Sequence, residues 1–414
     1  MKKIKRFLIA TATLTTIAMT AAGCASTQSS VAAETIQSAA DTTSDVETSS
    51  NASAVSTTSV STVSDTLIDT SDLFTDRDLA QTADTSEATS YTVESGQNIT
   101  ITEAGVYVLS GTASDCTIIV STEDEDAKVQ LVLDGLNVTN TNTPVIYVVS
   151  ADKCFVTTTA GSQNTLTVTG AFTADGATNT DAVIFSKEDL VLNGEGVLTI
   201  KSSENAVTSK DDLRITGGTY AITAGKNGFE GKDSIAISGG VFTINASADG
   251  FHSENADDNT LGYIYVSGGT FDINAGDDGI HATTVAEIDG GEFAIDAVEG
   301  IEGTYIQIND GTISISASDD GINAAAKSTA YDVTIEINGG SLTIVMGSGD
   351  TDAVDANGSI YVNGGDINIT ATSAFDYDVT GKLNGGTVIV NGSQITEMTT
   401  SMGGGRGAMG AKVR

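Results

Sequence analysis

The chain is 414 residues long and carries 55 Asp and Glu against 18 Lys and Arg, a formal net charge of −37. So acidic a surface excludes the wrapping of a polyanion such as nucleic acid, and the small partners it favours are cations. Length alone leaves open two or three ordinary domains or one elongated array.

The chain starts as an export signal: Lys2, Lys3, Lys5 and Arg6 form a basic region, followed by a short apolar run and a small-residue cleavage zone. That zone ends in Ala21-Ala22-Gly23-Cys24, which resembles a bacterial lipobox, so residues 1–24 are expected to be a lipoprotein signal with Cys24 as the lipidated residue. Residues 25–90 are rich in Ser, Thr, Ala and Asp without a sustained apolar period and are expected to be a disordered linker. No later stretch is long and apolar enough to span a bilayer. The expected location is therefore extracellular, with the membrane reached by the lipid anchor only.

Strand signals begin near Tyr91 and continue through "CTIIVST", "KVQLVLDGLNVT" and "PVIYVVS". Cys116 and Cys154 fall here, and two buried thiols are expected in preference to a bridge. From Asp181 a repeat of about 22 residues emerges, with two longer units carrying "NADDNTLGY" and "AAKSTAYD". Apolar residues alternate on both sides of a recurring Gly-Gly, as in Ile235/Ile237 before it and Phe242/Ile244 after it. That period of two means strands, not helices. A third apolar column runs Val207, Phe229, Phe251, Ile280, Ile301, Ile322, Val354, Tyr377. Three columns at constant register predict an all-β, single-stranded parallel β-helix, a solenoid of about 22-residue coils over residues 91–395. The single proline agrees, because a stacked coil needs its N–H groups for the ladder. Residues 396–414 are expected to be a disordered Gly/Met-rich tail.

The Gly-Gly pairs fit corners that need positive φ. One polar column carries Asp181, Asn205, Asn227, Asp249, Asp278, Glu299, Asp320 and Asp352, often preceded by a second acid. For its asparagines the expectation is a ladder in which side chains satisfy backbone amides from coil to coil. Carboxylates at coil spacing, however, repel by about 1 kcal/mol in water and roughly 3 at an effective dielectric of 20. An oxygen-rich cluster with few imidazoles favours a hard cation, so calcium is expected at Asp249, Asp277, Asp278, Asp319, Asp320, Asp350, Asp352 and Glu254.

Three positions on lies a second polar column, Glu230, His252, His281, Glu302, Asn323, Asp355, Asp378, which holds both histidines of the chain. His252 and His281 are read either as a solvent-exposed pair or as metal or sugar contacts. Lys187, Lys210 and Lys232 align beside Glu188, Asp189, Asp211, Asp212 and Asp233, which they are expected to neutralise. Tyr263, Tyr265, Tyr305 and Tyr361 are expected to point outward, and Tyr263 and Tyr305, two coils apart at roughly 10 Å, are spaced for stacking on sugar rings. Together with His252 and His281 they are the candidate carbohydrate contacts.

The run "DAVIFSKEDLVLNGEGVLTI…NAVTSKDDLRITGGTYAIT…NGFEGKDSIAISGGVFTI…DGFHSEN" resembles the clostridial cell-surface carbohydrate-binding β-helix family, from Tyr91 to Gly392. The resemblance implies a calcium-containing, right-handed β-helix with a pectate-lyase-like shape that binds cellulose-like or acidic plant polysaccharides without catalysis. "EGIEG" departs from it, standing where Asp-Gly is expected. The expected function is that of a non-catalytic, calcium-dependent polysaccharide-binding surface lipoprotein, monomeric and indifferent to nucleic acid. The alternatives are a pectate-type lyase using Lys210 or Lys232 as base, and a structural or adhesive surface β-helix.

Overall fold

The computed structural model describes residues 67–348 and 351–399. Cys24, the signal segment, Asp350 and the tail from residue 400 lie outside the described residues. Among the described residues the chain is all β, with 34 strands and one four-residue helix, Asp76–Leu79, in a largely parallel sheet that does not close on itself.

Parallel pairing sets like residue over like. In the column of strands that follows Gly-Gly, Leu198, Tyr220, Phe242, Phe271, Phe293, Ile313, Leu342, Ile367 and Val388 lie in register. Within each strand burial alternates, as in Val241–Ala246 and Thr270–Ala275, because successive side chains point to opposite faces. The buried members form one continuous core. Aromatic rings stack along it: Tyr220 on Phe242 at 5.1 Å, Phe242 on Phe271 at 4.8 Å and Phe271 on Phe293 at 4.3 Å. The strands before Gly-Gly pair likewise, through Leu190, Leu213, Ile235, Ile264, Ala286, Ile306, Ile335 and Ile360.

The third column runs Val207, Phe229, Phe251, Ile280, Ile301, Ile322, Val354 and then Phe375. The sequence expectation placed Tyr377 there and Asp378 beside Asp355. The last step is 21 residues, shorter by two than assumed, so Phe375 pairs with Val354 and Asp376 with Asp355.

Each Gly-Gly serves two demands. Gly240 adopts φ 123°, where an L side chain is strained. Its neighbour Gly239 has ordinary φ, but an added Cβ would lie 3.2 Å from the Thr216 carbonyl oxygen one repeat below. The stack ends in an antiparallel hairpin: Thr387–Val390 pairs with Ser393–Ile395 across Asn391 and Gly392, both at positive φ.

Residues 67–90, expected to be linker, are ordered and docked. The Ile68 N–H donates to Glu287 Oε2 at 2.9 Å, and the Leu73 carbonyl accepts from Arg214 Nε at 3.0 Å. Thr75 and Asp78 form a capping box that starts the short helix. Asp78, 1 % exposed, takes an ion pair from Lys153 at 3.3 Å, and Arg77 sits over the Phe155 ring. The physical reason is a small apolar surface: Leu67, Ile68, Leu73 and Phe74 pack on Ala236, Tyr263, Tyr265, Val285 and Tyr305. Cys116 and Cys154 are buried and unbridged, and burial pushes the Cys154 thiol up to about 12.

Candidate functional site

The acidic column is first of all a hydrogen-bond ladder, in which two of its acids, Asp249 and Asp320, accept amides as its asparagines do. Asn205 Oδ1 accepts from Asn227 N at 3.0 Å, Asn227 Oδ1 from Asp249 N at 3.2 Å and Asp249 Oδ1 from Asp278 N at 3.0 Å. The same rung recurs from Asp320 Oδ1 to Asp352 N at 3.1 Å. Between them the ladder is interrupted where "EGIEG" departs: the longer Glu299 side chain accepts from Asn323 Nδ2 at 2.9 Å, and the Glu299 amide bonds the Asp277 carbonyl. Asp277 and Asp319 are exposed.

The second oxygen of two rungs meets the histidines. His252 Nδ1 lies 2.6 Å from Asp249 Oδ2, and His281 Nδ1 lies 2.6 Å from Asp278 Oδ2 and 2.9 Å from Glu302 Oε2. The two rings stack at 4.6 Å. The pair is half-buried, which corrects the reading of a solvent-exposed pair. Burial alone would lower the His281 pKa, but the bonds from Asp278 and Glu302 outweigh it and raise it to about 10. For Glu302 burial is likewise outweighed, by His281 and by Lys327 at 2.7 Å, and its pKa falls to about 2.

Besides acting on neighbouring acids, as Lys232 does on Asp233, the aligned lysines find partners not expected from sequence. Lys210 pairs with Glu230 at 2.7 Å, Lys232 with Asp257 at 2.6 Å, and Lys187 lies over the Tyr147 ring. Asp189, Asp211 and Asp212 instead converge on one another, with Arg214 pairing Asp212 at 3.0 Å. Burial, then Asp212 and Asp211, raise Asp189 to about 6.

The tyrosines do not form an open platform. Tyr265 is buried, its hydroxyl donating to Asp289 Oδ2 at 2.9 Å, and Tyr263 and Tyr305 are half-buried against the segment Leu67–Phe74. Tyr361 lies apart and half-buried, with the Lys382 ammonium above its ring. The N-terminal segment takes the face that the spacing of Tyr263 and Tyr305 had suggested for sugar. The signal was present in the sequence as two apolar pairs, Leu67-Ile68 and Leu73-Phe74, ahead of a Thr-x-x-Asp box, but averaged composition over 25–90 concealed it.

The open concavity lies on the other side of the histidine row, where the two longer units meet. Asn259 Nδ2 donates to Thr329 Oγ1 at 2.7 Å and Ser328 Oγ to the Asn259 carbonyl at 2.6 Å, tying the two insertions together. Around this clasp is a groove of about 640 Å³ lined by Glu254, Asp257, Asp258, Thr283 and Lys327, among others. Its rim touches the row directly: Glu254 Oε2 is 3.5 Å from His252 Nε2, and Lys327 holds Glu302. The volume falls within the range of small-molecule and cofactor sites.

Further along the same two columns lie more carboxylates. Asp355 is half-buried, and burial, then Asp320, Asp352, Asp376 and Asp378, raise its pKa to about 7. Asp320 is raised to about 6 and Glu299 to about 8, burial again first. Among the described residues no Lys, Arg or His forms an ion pair with Asp320, Asp355, Asp376 or Asp378. Carboxylate oxygens suit a hard cation and imidazoles a softer one.

A solved polysaccharide lyase-like protein from C. thermocellum, a gadolinium derivative, is 25% identical to this chain and covers 71% of it and 99% of its own length, with a TM-score of 0.43. A carbohydrate-binding domain-containing protein of Acetivibrio thermocellus is 35% identical over 131 residues, 31% of this chain and 46% of the relative, so the chain spans about half the length of the curated relative it matches. A family model described as carbohydrate-binding domain-containing protein matches residues 95–351 and again 297–376. With more than half of its length matched, the chain belongs to this carbohydrate-binding domain-containing protein family.

Proposed function

We propose that the protein is a calcium-dependent, non-catalytic polysaccharide-binding lipoprotein of the cell surface. Its binding domain is a right-handed parallel β-helix of about 22-residue coils that works as a monomer. The observation that carries the reading is the groove of about 640 Å³ at the clasp between the two insertions, beside an ordered row of histidines and carboxylates in a chain of a carbohydrate-binding family. The groove side chains that donate and accept, Lys327, Thr283, Glu254 and Asp258, suit the hydroxyls and carboxylates of a cellulose-like or acidic plant polysaccharide.

Calcium would be held by Asp319, Asp320, Asp352, Asp355, Asp376 and Asp378, where burial and neighbouring acids raise Asp320 and Asp355. Asp249 and Asp278 are weaker candidates, because their oxygens are engaged by ladder amides or histidines. Bound calcium would offset the mutual repulsion of these acids and, on so acidic a surface, bridge to uronate carboxylates. Lys210 and Lys232, the bases a lyase reading requires, are both engaged in ion pairs.

The test is depletion of cellulose and of polygalacturonate by the full chain, with calcium or with chelator, alongside an assay for unsaturated uronate product. Calcium-dependent depletion without product is expected. Product would make the protein a lyase, and absence of depletion under both conditions would overturn the binding reading.

A further inference from the structure

We propose that His252, His281 and Glu254 form a site for a borderline-soft divalent metal ion of the zinc class, separate from the hard-cation cluster around Asp320 and Asp355. Each imidazole is held through Nδ1 by the carboxylate three residues before it, Asp249 and Asp278, at 2.6 Å in both cases. Nδ1 fixed in that way donates to the carboxylate and leaves Nε2 as the atom that protein imidazoles present to metal ions; at His281, whose pKa Asp278 and Glu302 raise, an incoming ion has to displace the Nε2 proton. The two rings are stacked at 4.6 Å with an interplanar angle of 24° and have the same Nδ1 anchorage, so their Nε2 atoms lie side by side on neighbouring rungs. A carboxylate completes the set, since Glu254 Oε2 is 3.5 Å from His252 Nε2.

Donor nitrogens on a tetrahedral zinc ion lie roughly 3.3 Å apart with their lone pairs converging, so both rings have to turn out of their stacked arrangement to share one ion. Two imidazoles and one carboxylate leave coordination positions open to water or to a ligand oxygen, and Glu254 also lines the groove. The surrounding charge favours a dication: among the described residues the carboxylates of Glu230, Asp249, Glu254, Asp278 and Glu302 outnumber the ammonium groups of Lys210, Lys226 and Lys327 that face them. Imidazole donors select zinc-class ions over calcium, which distinguishes this site from the all-oxygen cluster.

The full chain, freed of metal by chelator and exchanged into chelator-free buffer, is titrated with Co²⁺ while visible absorption is followed, and the cobalt is then displaced with Zn²⁺. The expected result is saturable uptake at one ion per chain, with cobalt ligand-field bands that zinc removes and that excess calcium does not. His252→Ala and His281→Ala should each weaken uptake by roughly 100-fold or more. Asp249→Asn, which keeps the ladder acceptor but weakens the imidazole anchor, should cost about 10–100-fold. Glu254→Gln is exposed and leaves the fold alone, and should weaken binding by about 10-fold. Unsaturable uptake, or equal affinity in the His252→Ala/His281→Ala double variant, would overturn the site and leave the row as an ion-pair network. Glycan depletion in calcium is measured separately on the unsubstituted chain, and its outcome does not decide the metal site.

Discussion

At the scale of single residues, the fold is held by identical groups lying over one another. The period-two alternation that makes these columns legible also fixes which side chains touch, so Phe242, Phe271 and Phe293 form a stack whose middle ring has no other place to go. Truncating that ring, as Phe271→Ala, should cost about 3–5 kcal/mol, read as a lower midpoint in chemical denaturation at unchanged slope. The polar ladder is the counterpart of the apolar one. Its amide acceptors are legible in the sequence for the asparagines, whereas the amides that Asp249 and Asp320 accept are not, because the repulsion between stacked acids is the stronger sequence signal. In the structure Asp249 Oδ1 accepts from the next rung, a role an asparagine can fill and an alanine cannot. Asp249→Ala should therefore destabilise the chain by about 1–3 kcal/mol more than Asp249→Asn, a difference that equilibrium denaturation of the two variants measures.

At the scale of elements, the strand columns were readable from sequence because each is the same short pattern written many times. What occurs once was not readable. The N-terminal segment is such a case: Leu67, Ile68, Leu73 and Phe74 contribute little to a composition window, yet they cover Tyr263, Tyr265 and Tyr305. The groove is another, since nothing in "NADDNTLGY" or "AAKSTAYD" announces that Asn259 reaches Thr329 about three repeats away. The docked segment is tied by few apolar contacts and by Ile68, Leu73 and Asp78 to separate strands, so it should open without the stack. Ile68→Asp places a charge against the buried Glu287 carboxylate and should release the segment. Hydrogen exchange should then quicken at residues 67–81 while the amides of Thr219–Ala224 keep their protection. Equal loss in both places would mean that the segment and the stack unfold as one unit.

At the scale of the whole molecule, the chain holds carboxylates in positions that favour their neutral form. Burial first, and neighbouring acids next, raise Asp189 and Asp320 to about 6, Asp355 to about 7 and Glu299 to about 8; at Glu287 burial and Asp289 raise the pKa to about 7. In the unfolded chain these groups titrate near 4. A group whose pKa is raised on folding contributes stability that is fully present below its unfolded value and is lost as pH rises through the folded value. For this set the loss runs from about pH 4 to about pH 8. Glu302, lowered to about 2, acts in the opposite sense and loses its contribution as pH falls below about 4. The melting temperature in chelator should therefore be greatest near pH 4 and fall toward pH 8. Calcium should restore much of that fall, because a cation bound among Asp320, Asp355 and their neighbours replaces the protons that those oxygens surrender. Monovalent salt screens the general repulsion of a chain with net charge −37 but substitutes poorly for a bound dication. Melting curves at pH 4, 6 and 8 with chelator, with calcium and with sodium chloride of equal ionic strength separate the two effects. A fall that sodium chloride abolishes as completely as calcium would place the cost in the overall charge and remove the argument for a calcium cluster. A fall that only calcium abolishes would locate it in these few desolvated carboxylates, where the repeat itself brings acids together.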